Sequence, residues 1–170
     1  MDANLFEVKH YDSIREMCSI MNLNKSDIMG DLSKENNSFM EIKLKSYGSI
    51  GIAYYNYGIK PRIEVKYDIP VLYLGLDKSF MSINYSTNRV IFHKVLDSIF
   101  YDYVSFEALN LILIIGELDV YVININGDQI WSIGFRDIIV DFTVNDSSLY
   151  VKINNGDETI FAIQDGAVIK

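Results

Sequence analysis

The chain has 170 residues, 49% of them apolar, with 15 Lys and Arg against 23 Asp and Glu for a net charge of −8. That length supports one well-buried domain rather than two, and the apolar content with only two Pro excludes long disorder. The charge is uneven: residues 1–94 hold 12 Lys/Arg against 11 Asp/Glu, whereas residues 95–170 hold 3 against 12, a field that disfavours nucleic acid and anionic lipid and attracts a basic partner.

The N-terminal run from Met1 to His10 lacks the basic segment and apolar core of a secretion signal, and the longest apolar stretch, Leu111 to Ile115, falls far short of a bilayer span. A cytoplasmic location is expected. Asp12 or Ser13 can cap a short amphipathic helix in which Ile14, Met17, Cys18 and Met21 recur at helical spacing. Cys18 is the only cysteine, which excludes an intramolecular disulfide and a multi-cysteine metal site; on that face it reads as a small core residue. Ser26 with Asp27 starts a second, weaker helix through Ile28, Met29 and Leu32, ahead of the polar run Ser33 to Asn37. Residues 1–38 are thus expected to be the helical part of a single domain, 1–170.

From Phe39 onward the apolar spacing turns to period two, broken by Gly, Asn, Asp and Ser turns, as in antiparallel strands. Phe39 to Leu44 and Ser49 to Tyr55 make one hairpin around Ser46-Tyr47-Gly48. Three longer units follow, near 72–94, 111–133 and 149–169, and a step of 39 residues relates them: Leu72, Leu111 and Tyr150 open strands, Asn88, Gly127 and Gly166 sit in turns, and Ile91, Ile130 and Ile169 follow the turns. A period near 40 marks serial four-stranded units whose neighbours bury one another's apolar faces.

The segment Ser82-Ile83-Asn84-Tyr85-Ser86-Thr87-Asn88-Arg89-Val90-Ile91-Phe92 resembles the blade-closing motif Ala-x-Asp-x-x-Thr-Gly-x-x-x-Trp of quinoprotein-type, or WD-like, β-propellers. Asn124 to Trp131 keeps the Gly and the Trp of that motif but is one residue shorter before the glycine, and Ala162 to Gly166 is shorter still. The resemblance covers residues 71–170 and implies blade-like repeats; the family's cofactor-binding residues have no counterparts, so no quinone site follows. Because a propeller needs four or more blades, three units and a partial one predict an α+β, predominantly antiparallel β fold: short N-terminal helices on a curved β-meander or a two-sheet sandwich of blade-like repeats, not a closed propeller. A short closed ring is the alternative. Trp131, matching Phe92 one period earlier, is expected to pack inside or between units with Ile130 or Ile133 nearby.

Catalytic chemistry finds little footing. His10 and His93 have no ligand at metal-binding spacing, and Asn124-Ile125-Asn126-Gly127-Asp128 lacks the alternating acidic ligands of a calcium loop, reading instead as a hairpin turn. No Gly-x-Ser-x-Gly elbow or phosphate loop is present. If Asp137 to Val144 is a strand, Asp137 and Asp141 share a face with Ile139 and Thr143, a pairing that can serve glycoside chemistry but is more often a solvated one. Tyr54, Tyr55 and Tyr57, with Lys43, Lys45, Lys60, Arg62 and Lys66 around them, form the one aromatic-basic concentration and are candidates for stacking a ligand, although tyrosine is also a strong strand former.

The expectation for function is therefore a non-enzymatic acidic protein-binding module, with no cofactor and no metal. A concrete instance is an immunity or antitoxin-type inhibitor of a basic toxin enzyme, with Asp128, Asp137, Asp141, Asp146 and Asp157 as the partner-binding residues. The alternatives are a small-molecule-binding or sensing domain, with a ligand near the tyrosine-rich turn, and an assembly subunit that completes its array as a homodimer.

Overall fold

In the computed structural model, which describes residues 6–22, 28–30 and 35–169, the chain forms four small sheets in chain order. The first contains β1 (Phe6–Tyr11), β2 (Ile28–Met29), β3 (Ser38–Leu44) and β4 (Gly48–Tyr54) in the order β1-β3-β4-β2. The second is β5 (Arg62–Val65), β6 (Val71–Leu76), β7 (Ser79–Asn84) and β8 (Arg89–Val95); the third is β9 (Phe100–Phe106), β10 (Leu111–Gly116), β11 (Asp119–Asn124) and β12 (Gln129–Gly134). The fourth is β13 (Ile139–Val144), β14 (Ser148–Ile153) and β15 (Glu158–Ala162), with Val168 adding a bridge to Phe161. Every named strand pairing is antiparallel except β2 with β4. The sheets do not close into a barrel.

An apolar layer fills each junction between successive sheets. Met40, Ile42, Ile52 and Tyr54 of the first sheet meet Leu72, Leu74, Met81 and Ile83 of the second; Tyr73 and Phe80 on the other side of the second meet Ile112, Ile114, Tyr121 and Ile123 of the third. Leu113, Ile115, Val120 and Val122 then meet Leu149, Val151 and Phe161 of the fourth. Sheets covered on both faces explain the uninterrupted apolar runs of β6, β10 and β11, for side chains alternate across a strand and both sets must be apolar. In β14 buried and half-buried residues alternate strictly, as expected when one face is wet.

The N-terminal region departs from expectation. One helix forms there, α1 (Ile14–Met21), capped by Ser13, whose Oγ accepts from the Glu16 amide at 3.2 Å, and closed by Asn22 in the left-handed conformation. Its face of Ile14, Met17, Cys18 and Met21 covers the first sheet at Tyr11, Phe39 and Ala53. The expected second helix does not include Ile28 and Met29, which pair with Gly51 and Ile52 as a strand; the open edge of β4 offers backbone partners that a weak two-turn helix does not outweigh. Ser26, Asp27 and Leu32, also assigned to that helix, lie outside the described residues. Phe6–Tyr11, expected in the helical part, is a full strand along β3.

The 39-residue step is an average. Leu74, Ile114 and Val151 occupy the same place in β6, β10 and β14, each facing the preceding sheet, and are 40 and 37 residues apart. Leu72 therefore faces backward, Leu111 forward and Tyr150 outward, since a slip of one residue turns a side chain to the other face. The step does hold on the outer strands, where Phe92 and Trp131 sit against glycine turns of the next sheet. A Cβ at Gly127 would fall 2.6 Å from Phe92, and one at Gly166 2.8 Å from Trp131, so both contacts require glycine. Trp131 packs between the third and fourth sheets as expected, with Ile133 in the same layer, its ring 6.3 Å from that of Phe161 and its Nε1 donating to the Ile163 carbonyl at 2.7 Å. Ile91 and Ile130 are the extra residues of bulges in β8 and β12, which leaves both exposed.

Candidate functional site

Four of the five candidate aspartates lie on the fourth sheet and its connections. Asp146 is exposed in the β13–β14 turn, and Asp157 is exposed in the β14–β15 turn, where its carboxylate accepts from Asn155 Nδ2 at 2.8 Å. Asp137 precedes β13; it accepts from the Ile138 amide at 2.8 Å and from Asn154 Nδ2 at 3.4 Å, so it shapes the end of the sheet as well as charging it. Asp128 stands apart in the β11–β12 turn, held by Asn124 Nδ2 at 2.9 Å, while Asn124 Oδ1 accepts from the Asn126 and Asp128 amides in a side-chain-closed turn.

Asp137 and Asp141 do not share a strand face. Ile139 pairs with Ile153 and Asp141 with Lys152, so Val140 is inserted as a bulge; Ile139 turns into the core and Asp141 outward with Thr143. On that outward face Lys152 makes its ion pair with Glu158 at 3.0 Å rather than with Asp141. The four aspartates of the fourth sheet thus spread over its outward face and both its ends, and with Asp128 on the third sheet the five do not converge on a point. Asp146 with Glu107 and Asp165, neither of them anticipated, lines a cleft of about 780 Å³ between the third and fourth sheets.

The tyrosines divide. Tyr54 is 3% exposed in the layer between the first two sheets, and burial pushes its hydroxyl up; it is no open platform for stacking. Tyr55 and Tyr57 are exposed and pack on each other, centroids 4.8 Å apart. The chain leading away from them, Asn56 to Pro61, joins Val8 and His10 of β1, Arg62 and Ile63 of β5, and Tyr101 and Asp102 of β9 around a second cleft, of about 860 Å³. The first strands of three sheets meet there.

Arg62 Nε stands 3.6 Å from Asp102 Oδ1 and its guanidinium lies over the Tyr103 ring. Nearby, Lys66 Nζ contacts Glu64 and Glu107, each at 2.7 Å, and the Tyr103 hydroxyl donates to Glu64 at 2.6 Å. Burial and the Glu64 carboxylate push Tyr103 up. Burial works to raise Glu64 as well, but the bonds from Lys66 and Tyr103 outweigh it and hold the carboxyl below its ordinary range. These bonds staple β5 to β9.

A buried carboxyl also escaped the sequence. Asp119, 5% exposed, opens β11 against Ser98, and neither of its oxygens meets a donor at hydrogen-bonding geometry among the described residues. Burial, then the charge of Asp97, pushes its carboxyl up, with Ser98 pulling the other way. The only signal in the sequence is a carboxylate at the head of a continuous apolar strand. His10 and His93 lie in different sheets, and no group of three His, Cys, Asp or Glu side chains suited to a metal occurs among the described residues. No helix among them is long and apolar enough to cross a membrane.

No family model matches the chain, and no curated protein matches it in sequence. Among solved structures, the computationally designed protein Ika4 is similar at a TM-score of 0.52 and 14% identity, over 68% of this chain and 74% of its own. The designed Ika8 gives 0.52 and 14%, over 81% of this chain and 46% of its own. These are propeller-like proteins. The sheets are blade-like repeats of the β-propeller type. BamB from Moraxella catarrhalis is a weaker match, at a TM-score of 0.49 and 11% identity over 81% of this chain and 44% of its own.

Proposed function

We propose that this chain is a non-enzymatic protein-binding module that receives a basic partner on its fourth sheet, as an immunity-type inhibitor receives a toxin enzyme that itself binds polyanions. The observation that carries the reading is the outward face of that sheet. Asp141 stands there opposite Lys152, whose ion pair goes to Glu158, and between the exposed carboxylates of Asp146 at one end and Asp157 at the other, so carboxylates outnumber the one lysine. Exposed carboxylates meet Arg or Lys without being desolvated in the core, and an unneutralised field accelerates encounter with a cationic surface. Polyanion mimicry by such a face would cover the partner's own substrate surface.

The test is the association rate with candidate basic partners, beginning with the product of any neighbouring gene for a large secreted toxin, measured at several ionic strengths. Wild type should associate on the order of tenfold faster at low than at physiological salt. Asp141→Lys with Asp146→Lys should slow association and flatten its salt dependence while far-ultraviolet circular dichroism stays native, with a small loss of melting temperature because the new lysine faces Lys152 across the β13–β14 pair. Rates indifferent to both salt and charge reversal would remove the reading.

A further inference from the structure

We infer that the cleft where β1, β5 and β9 meet is a binding site for a small organic monoanion with an apolar, preferably aromatic, body. Its volume of about 860 Å³ lies within the roughly 300–1,000 Å³ of small-molecule sites. It is bordered by the first three sheets and shares no lining residue with the partner surface on the fourth.

The wall composition defines the occupant. β1 alternates Phe6, Val8 and His10 toward the cleft; Phe6 also packs on the layer between the first two sheets, whereas Val8 is 38% exposed and open to the cleft. Ile59, Ile63 and Tyr101 complete an apolar surface for the body of a ligand.

The charges then set the head group. Lys60 has no ion pair among the described residues, and Arg62 is only partly engaged by Asp102, at 3.6 Å with more than half of its side chain exposed. The imidazole of His10 adds a further polar group. Asp102 is the single carboxylate on the wall, so two cations against one anion leave one positive charge to be matched. A singly charged carboxylate or sulfonate satisfies it; a polyanion would press a second charge on Asp102.

The experiment uses 8-anilinonaphthalene-1-sulfonate as the monoanionic probe and N-phenyl-1-naphthylamine, the same ring system without the sulfonate, as the neutral control. The dissociation constant and stoichiometry are measured by calorimetry and the site by amide chemical-shift perturbation. The sulfonate should bind one to one, shift Val8, Ile63 and Tyr101, and bind about tenfold more weakly to Lys60→Glu, a loop side chain with no ion pair whose replacement leaves the fold intact. The neutral control should bind equally to wild type and variant. Val8→Trp, which fills the cleft from an exposed strand position, should abolish the sulfonate shifts while far-ultraviolet circular dichroism stays unchanged. Several weak sites, shifts centred elsewhere, or sulfonate affinity untouched by Lys60→Glu would overturn the assignment.

Discussion

Trp131 joins two sheets through a single side chain, by packing at a tilt beside Phe161 and donating to the Ile163 carbonyl. Trp131→Ala should therefore cost about 3 kcal/mol in urea unfolding, the low end for Trp because the side chain is only partly buried. Trp131→Phe, which keeps an aromatic ring but loses part of the packing and the hydrogen bond, should cost about 1–2 kcal/mol. Asp119 predicts a pH effect of opposite character to the usual carboxylate. Its native carboxyl holds its proton more tightly than the unfolded chain does at the ordinary value of 3.8, so from that pH upward the native state binds more protons and stability falls until the native carboxyl has ionised. Asp119→Asn removes this loss. Thermal unfolding across a pH series should find the variant more stable than wild type at pH 7 and the gap closing as the pH falls toward 4.

Helix α1 stands at the first sheet where another blade would stand, covering Phe39 and Ala53 with its apolar stripe. It is two turns long, so its ends weigh heavily. Ser13→Ala leaves the Glu16 amide without its cap and should lower stability by about 1 kcal/mol in thermal or urea unfolding, with Ser13→Asp restoring it. This helix and its cap were legible because capping and amphipathic spacing are local. β1 and β2 were not. β1 has one exposed apolar residue, Val8, between Phe6 and Tyr11, which pack on different core layers, too few apolar positions to separate it from a loop, and β2 exists only because β4, more than 20 residues further on, has an edge to pair with.

At the scale of the molecule, four sheets stacked in chain order place an acidic face on the last and a partly basic cleft along the leading strands of the first three, and the two proposals concern separate surfaces. The amino-acid sequence by itself determined where the β6–β7–β8, β10–β11–β12 and β14–β15 hairpins lie, that they are antiparallel and that they repeat, because turn residues and apolar runs act over a few positions; the leading strands β5 and β9 were not legible, and the strand expected over Ala167 to Ile169 is a single bridge at Val168. It also determined that negative charge collects after residue 94. The tertiary structure alone decided which way each side chain faces. The bulges at Ile91, Ile130 and Val140 shift the alternation by one residue, and so Asp141 points to solvent while Ile139 is buried. A bulge forms where strand and neighbouring sheet must both be satisfied, a condition no local pattern encodes. For the same reason the cleft was invisible: Val8, Lys60 and Tyr101 are neighbours only because three leading strands converge, and convergence follows from the packing of the apolar layers between sheets.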